Sequence, residues 1–504
     1  MDARTDEPPR AKAAPPPRLN FRTKFLYGFG SIAYGVLTQI LTLLLFFYNQ
    51  VVGLSAQAVS AALAISLVID AVWDPVIGHV SDNLRSPWGR RHPFMYASAI
   101  PIAASVVFLM HPPSAFDAAQ KFLWLLVFVV VARLLISLYE MPSSALAPEL
   151  APDYHDRTVV LSYRWVLGVS GTALAASLGN FWFFRPTAAY PQGQLNPAAW
   201  GPMAWASAVI ALVSIVVSAA GTHHYIRRLH RPPARKVSLA HSLRDIAATL
   251  KNRNLGVALT AWLIAGLSFG LYGGLALYFY TFFWALKASQ IGVLALVNLV
   301  ASLVGAFIAT GLSRAFGKKH ACIAMFFGCV VAIQAPILLR LLGVFPGNGS
   351  ALLMPILIVA HLLSGSLTNG GFILSSSMVA DITEDAQVKT GRRAEGLLMA
   401  TNTFITKATT GVSALLPGLL LAYVGFPAHA RPGLIDMGII RHMAWVYLPV
   451  TSGLSFLSIA VWFFYRIDKA AHDRHLATVA EAQAASEIAA EAEPDAVAAA
   501  RLAG

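Results

Sequence analysis

The sequence predicts an all-α membrane protein, and three observations predict it. Of 504 residues, 57% are hydrophobic and only 12% are charged, more apolar material than a soluble core can bury. The apolar residues run in stretches of about 20 or more, the length that crosses a bilayer as a helix, without the short alternating pattern of a membrane barrel. The basic residues collect between those stretches rather than within them.

Taken in order, residues 1–22 open with MDARTDEPPRAKAAPPPRLN. This mixture of Pro, Ala and charge reads as a disordered tail, and no short apolar core of a signal peptide follows it. Apolar length and flanking charge then predict spans at 24–49, 57–80, 93–111, 121–146, 157–184 and 201–222. The hydrophilic stretch 223–254 reads as a linker between two bundles, 23–222 and 255–468. Six further spans follow at 255–285, 290–313, 320–343, 351–380, 396–424 and 443–466. Residues 469–504, rich in Ala and Glu, read as a solvated tail.

The net charge of +13 suggests nucleic acid, but its placement favours topology. Lys and Arg concentrate in the N-terminal tail, SDNLRSPWGRRHP, the 223–254 linker, SRAFGKKH and VKTGRR, which fall on one side of twelve crossings. The positive-inside rule makes that side cytoplasmic, with both termini there, in a bacterial-type inner membrane. No nucleic-acid partner is expected. No cofactor, phosphate-binding G-x-x-x-x-G-K-[ST] loop, HEXXH or GXSXG motif is present either, so the chain does not read as a pump or an enzyme. Cys322 and Cys329, seven apart on one span, read as core residues.

A weak repeat supports two halves. The loop after the second span reads GHVSDNLRSPWGRRH and the loop after the eighth reads TGLSRAFGKKH. Two six-helix halves with such loops point to the major facilitator architecture, whose solute site lies between the halves. Basic loop residues can bind acids and helix C-termini at the cytoplasmic ends, forming a gate. Asp82, Arg90 and Arg91 in the first half and Asp381, Arg392 and Arg393 in the second are its candidates.

Asp70 and Asp74 on the second span are the costliest residues in the chain. A charge at membrane depth costs roughly 3 kcal/mol or more, and positions i and i+4 share a helix face. Two anions one turn apart need a proton, a sodium ion or a nearby basic side chain. Such a pair reads as a coupling site.

At IDAVWDPVIGHVSDNLRSPWGRRHPF, the chain resembles the glycoside-pentoside-hexuronide:cation symporter family of melibiose permease-like carriers in the major facilitator superfamily. YGFGSIAYG, EMPSSALAPELAPDYHDRTVVLSYR and MVADITEDAQVKTGRRAEG with NTFITK carry the same resemblance. It implies cation-coupled symport of a sugar or glycoside, H+ or Na+ being the coupling ion and no metal other than sodium. It assigns Asp70, Asp74 and Ser137 to the cation, and Glu140, Arg164, Phe372, Asn402, Thr403 and Lys407 to the solute. Arg133 stands as a charge partner. Trp73 replaces the family's Asn, Leu67 its Arg, Gly35 a helix-one Asp and Ser144 a helix-four Trp. An amphipathic or lysolipid-like solute is the alternative on the same fold. The partners expected are a small solute and the bilayer, with a monomer as the working unit.

Overall fold

The computed structural model describes residues 19–151, 154–226, 253–390 and 409–465, with side chains of the tenth helix described as far as residue 378. Among them, ten helices are long and apolar enough to span a membrane. They are α1 (Phe21–Val52), α2 (Ala56–Asn83), α3 (His92–Leu109), α4 (Ala118–Leu150), α5 (Asp156–Phe183), α6 (Pro197–His223), α7 (Arg253–Phe283), the run Ala288–Leu341, α10 (Leu353–Thr390) and α12 (Met437–Trp462). A shorter apolar helix, α11, covers Thr409–Tyr423.

The 54-residue run is two helices. Gly317 breaks it with φ 76° and ψ 158°, a conformation open to glycine and costly for other residues. Residues 288–316 form α8 and 318–341 form α9, which gives the twelve helices expected. The expected end of the fourth span at 146 falls short, because α4 continues through Pro142 and Pro148 to Leu150. Proline inside a membrane helix is tolerated where neighbouring groups satisfy the freed carbonyls.

The halves meet where α2 packs on α11 and α5 packs on α8, with α1 touching α7. At one such contact the approach is close: a Cβ on Gly418 would lie 2.4 Å from the Ala56 carbonyl and from Ser60 Oγ. Small residues let membrane helices approach this way.

The first helices of the two halves end alike in the backbone. α1 and α7 both end in a π-wound turn, Phe47–Val52 and Phe279–Phe283. After each comes a left-handed residue, Gly53 (φ 90°) and Ala285 (φ 51°). The next amide, of Leu54 or Leu286, then bonds back to the carbonyl of Tyr48 (2.9 Å) or Tyr280 (2.8 Å). α5 ends in a π-wound turn too, Leu178–Phe183, but only the turns of α1 and α7 are followed by a left-handed residue among the described residues.

That opposite end carries the seal between halves. Gln50 Nε2 donates to the Pro427 carbonyl (3.1 Å), and Gln50 Oε1 accepts from the Ala430 amide (2.9 Å). Tyr278 Oη donates to Asn49 Oδ1 (2.8 Å), while Gln194 Nε2 donates to Thr281 Oγ1 (3.0 Å). Around these bonds a continuous apolar core includes Phe46, Tyr278, Phe282 and Phe426. Phe46 and Tyr278 meet edge to face at 5.3 Å. A separate core in the second half, toward the basic loops, holds Cys322, Met325 and Trp462. Both cysteines are buried and free, as their apolar setting suggests.

Candidate functional site

Between the seal and the basic loops lies a cavity of about 650 Å³, walled by α1, α2, α4, α7 and α11. Its polar lining includes Asp70, Arg133, Ser137 and Glu140, with Tyr34, Thr38 and Thr42 from α1.

Asp70 is 8% exposed. Ser137, in the apolar middle of α4, donates from Oγ to Asp70 Oδ1 at 2.8 Å. The pair exists because α2 and α4 pack side by side, which brings residues 67 positions apart in sequence into contact. Arg133, one turn before Ser137, lines the same cavity and donates from Nε to Ser66 Oγ at 2.9 Å. It therefore brings positive charge to the wall that holds Asp70. Asp74, equally buried, lies one turn further along α2 toward the basic loop and is not part of the cavity wall. Leu67 lines the cavity, and Trp73 is 36% exposed beside the acids.

Glu140 comes from the next turn of α4. It pairs with Arg164 of α5, whose Nη1 also donates to Ser143 Oγ (2.9 Å) and Tyr27 Oη (3.2 Å). Arg164 is thereby held from three sides, and its guanidinium lies 5.8 Å from the Tyr27 ring centroid. Among the described residues no hydrogen bond reaches Glu140 Oε2. A buried carboxylate oxygen left without a donor costs free energy. The expectation that Arg164 itself grips solute differs from its placement, since Glu140 lines the cavity and Arg164 does not. Arg164 positions Glu140.

Phe372 is likewise elsewhere. It packs against Phe269 (5.3 Å) and Phe326 (5.8 Å) and is not part of this cavity wall. Gly35, where the family's helix-one acid would align, has no room for a side chain: a Cβ there would lie 2.0 Å from the Gly168 carbonyl of α5. Helix packing replaces the acid. Asn402, Thr403, Lys407, Arg392 and Arg393 lie outside the described residues, as does the side chain of Asp381.

At the basic-loop end, Arg91 is 5% exposed. It meets Asp82 at 2.5 Å and Glu149 at 3.1 Å, and donates to Ser81 Oγ at 2.8 Å. Arg90 reaches Glu149 at 2.7 Å. Glu149, at the end of α4, was not singled out in the sequence; its signal is an acid closing EMPSSALAPEL beside a loop with surplus arginine. In the second half Lys319 donates to the carbonyls of Phe463 (2.8 Å) and Tyr465 (2.7 Å) at the end of α12, a cation at a helix C-terminus. These bonds tie helices within a half. The gate candidates Asp82, Arg90 and Arg91 thus meet one another and Glu149 at the basic-loop ends of α2 and α4, within the first half.

The model of the family described as MFS/sugar transport protein matches residues 26–469. The chain is 26% identical over 454 residues to the isoprimeverose transporter of Lactiplantibacillus pentosus, covering 88% of each. It is 25% identical over 414 residues to a putative glycoside/cation symporter, YagG, of Escherichia coli, covering 82% of this chain and 85% of that one. The fold matches the inward-open xylose transporter XylE from E. coli with a TM-score of 0.59 at 14% identity, over 89% of this chain and 97% of that one. With twelve helices in two six-helix halves and a family match across nearly all of them, the chain belongs to the MFS/sugar transport protein family.

Proposed function

We propose that the protein is a secondary active symporter that couples a cation, a proton or sodium, to the movement of a sugar or glycoside by alternating access. One observation carries the reading: Asp70 with its Ser137 bond and Glu140 with its Arg164 brace open on the same cavity between the halves. A cation site and a hydroxyl-binding site that share one cavity are suited to be filled together. The names of the isoprimeverose and glycoside/cation relatives support the solute class.

The chemistry follows from the residues. Asp70 and Asp74, one turn apart in a low-dielectric setting, are stable together when a positive charge joins them. A cation entering down its gradient supplies about 2.3 kcal/mol per charge per 100 mV. Cation binding lowers the charge imbalance beside Arg133, and Glu140 then accepts a solute hydroxyl. By resemblance, Asn402, Thr403 and Lys407 complete the solute site from the second half. Only the empty and the doubly loaded carrier rock between states. With the basic loops in the cytoplasm, the conformation described here is sealed on the outer side. A single chain in the inner membrane suffices for this cycle.

The test is uptake of labelled pyranosides into proteoliposomes under an imposed proton or sodium gradient. Asp70→Asn is expected to abolish gradient-driven accumulation and to leave exchange intact. Unchanged accumulation in that variant sinks the reading, and the gradient that drives uptake in the unaltered protein identifies the ion.

A further inference from the structure

The glycines of α7 divide into two kinds. Gly266, Gly270 and Gly274, four apart, share one helix face. A Cβ on them would lie 2.3 Å from Thr409 Cγ2, 2.3 Å from Ser413 Cβ and 2.4 Å from Pro417 Cγ. All three are explained by the close approach of α7 to α11. Gly273 is not. It sits off that face, its φ is not in the left-handed region, and among the described residues nothing lies within 4 Å of where its Cβ would be. Glycine inside a helix is less favourable than alanine by roughly 0.5–1 kcal/mol. Neither packing nor backbone geometry accounts for its presence at 273. What Gly273 does face is the cavity.

Its level in the cavity is fixed by its neighbour. A Cβ on Gly274 would lie 3.8 Å from Leu45 Cδ2, and Leu45 is near the sealed end of α1. Gly273 therefore opens the deep part of the cavity, where Leu41, Leu45, Leu63 and Pro417 form the wall. The charged groups Asp70, Arg133 and Glu140 lie further toward the basic loops. Thr42, within the deep part, already donates its hydroxyl proton to the Thr38 carbonyl (2.9 Å), so it offers the solute an acceptor only. A single sugar ring carries hydroxyl groups all around and would strand some of them against leucine. A solute with one polar and one less polar unit fits both ends.

We propose that Gly273 is a specificity-determining position: its missing side chain makes room for the less polar unit of a two-part solute, such as the aglycone of a pyranoside. The inference rests on the sugar or glycoside reading of this cavity. It is tested by calorimetric binding to the purified full chain, using methyl and p-nitrophenyl xylosides, glucosides, galactosides and glucuronides. In unaltered protein the p-nitrophenyl member of the bound series is expected to be preferred. That preference is expected to fall about threefold in Gly273→Ala and about tenfold or more in Gly273→Leu, with methyl glycoside affinity held within about twofold. Gly273→Ala adds one methyl group to open space on a helix and keeps the fold, which its melting temperature verifies. An unchanged preference in a folded Gly273→Leu protein overturns the role of Gly273 and leaves the sugar reading standing. Equal loss of both ligands in a folded Gly273→Ala protein overturns it too. Unaltered protein that binds no pyranoside overturns the sugar reading, and this inference with it.

Discussion

Ser137 Oγ on α4 donates to Asp70 Oδ1 on α2 at 2.8 Å, with both side chains buried. The bond fixes one carboxylate oxygen of the proposed cation site and sets its distance from Glu140, one turn along α4. Removing a hydrogen bond to a charged group costs about 1.5 kcal/mol or more. Ser137→Ala is expected to raise the cation concentration for half-maximal uptake by roughly tenfold. Solute affinity at saturating cation changes little, and uptake titrated against the ion checks both.

Glu149 bridges Arg90 and Arg91. Taking away the carboxylate leaves a nearly buried guanidinium with Asp82 as its remaining acid. Breaking a buried ion pair from one side costs about 3 kcal/mol. Glu149→Ala is expected to lower the melting temperature of the purified protein markedly, and Glu149→Asp to recover part of the loss.

Ala285 stands at φ 51° where the first half has Gly53 at φ 90°. A non-glycine residue in the left-handed region is disfavoured by roughly 1–2 kcal/mol. Ala285→Gly is expected to stabilise the protein by about 0.5–1 kcal/mol after allowing for the greater freedom of glycine in the unfolded chain. A thermal or denaturant midpoint below that of the unaltered protein would contradict this.

The spans and the acid pair were legible because membrane depth makes a simple statement: apolar runs persist and charge is expensive. Asp70 and Glu140 could be nominated from type and position and Ser137 from the family resemblance, and the structure brings all three to one cavity. Glu149 was hidden because an acid near a helix end is ordinary until its partners are known, and those partners lie 58 and 59 residues away. That Phe372 packs against Phe269 and Phe326 outside this cavity wall was not legible, because aromatic residues in a membrane helix face lipid, core or cavity with equal ease. Gly273 carried no signal among the glycines of α7, since sequence cannot separate one that admits a neighbour from one that admits a ligand. The aromatic turns closing α1 and α7 went unread for a further reason. Their likeness lies in backbone winding and φ sign more than in residue identity.

Arg91 and Lys319 meet their partners inside their own halves. These contacts therefore add rigidity within each half at the basic-loop end and do not join one half to the other. The bonds that do join the halves, around Gln50 and Tyr278 at the opposite end, are between uncharged groups, which added salt screens little.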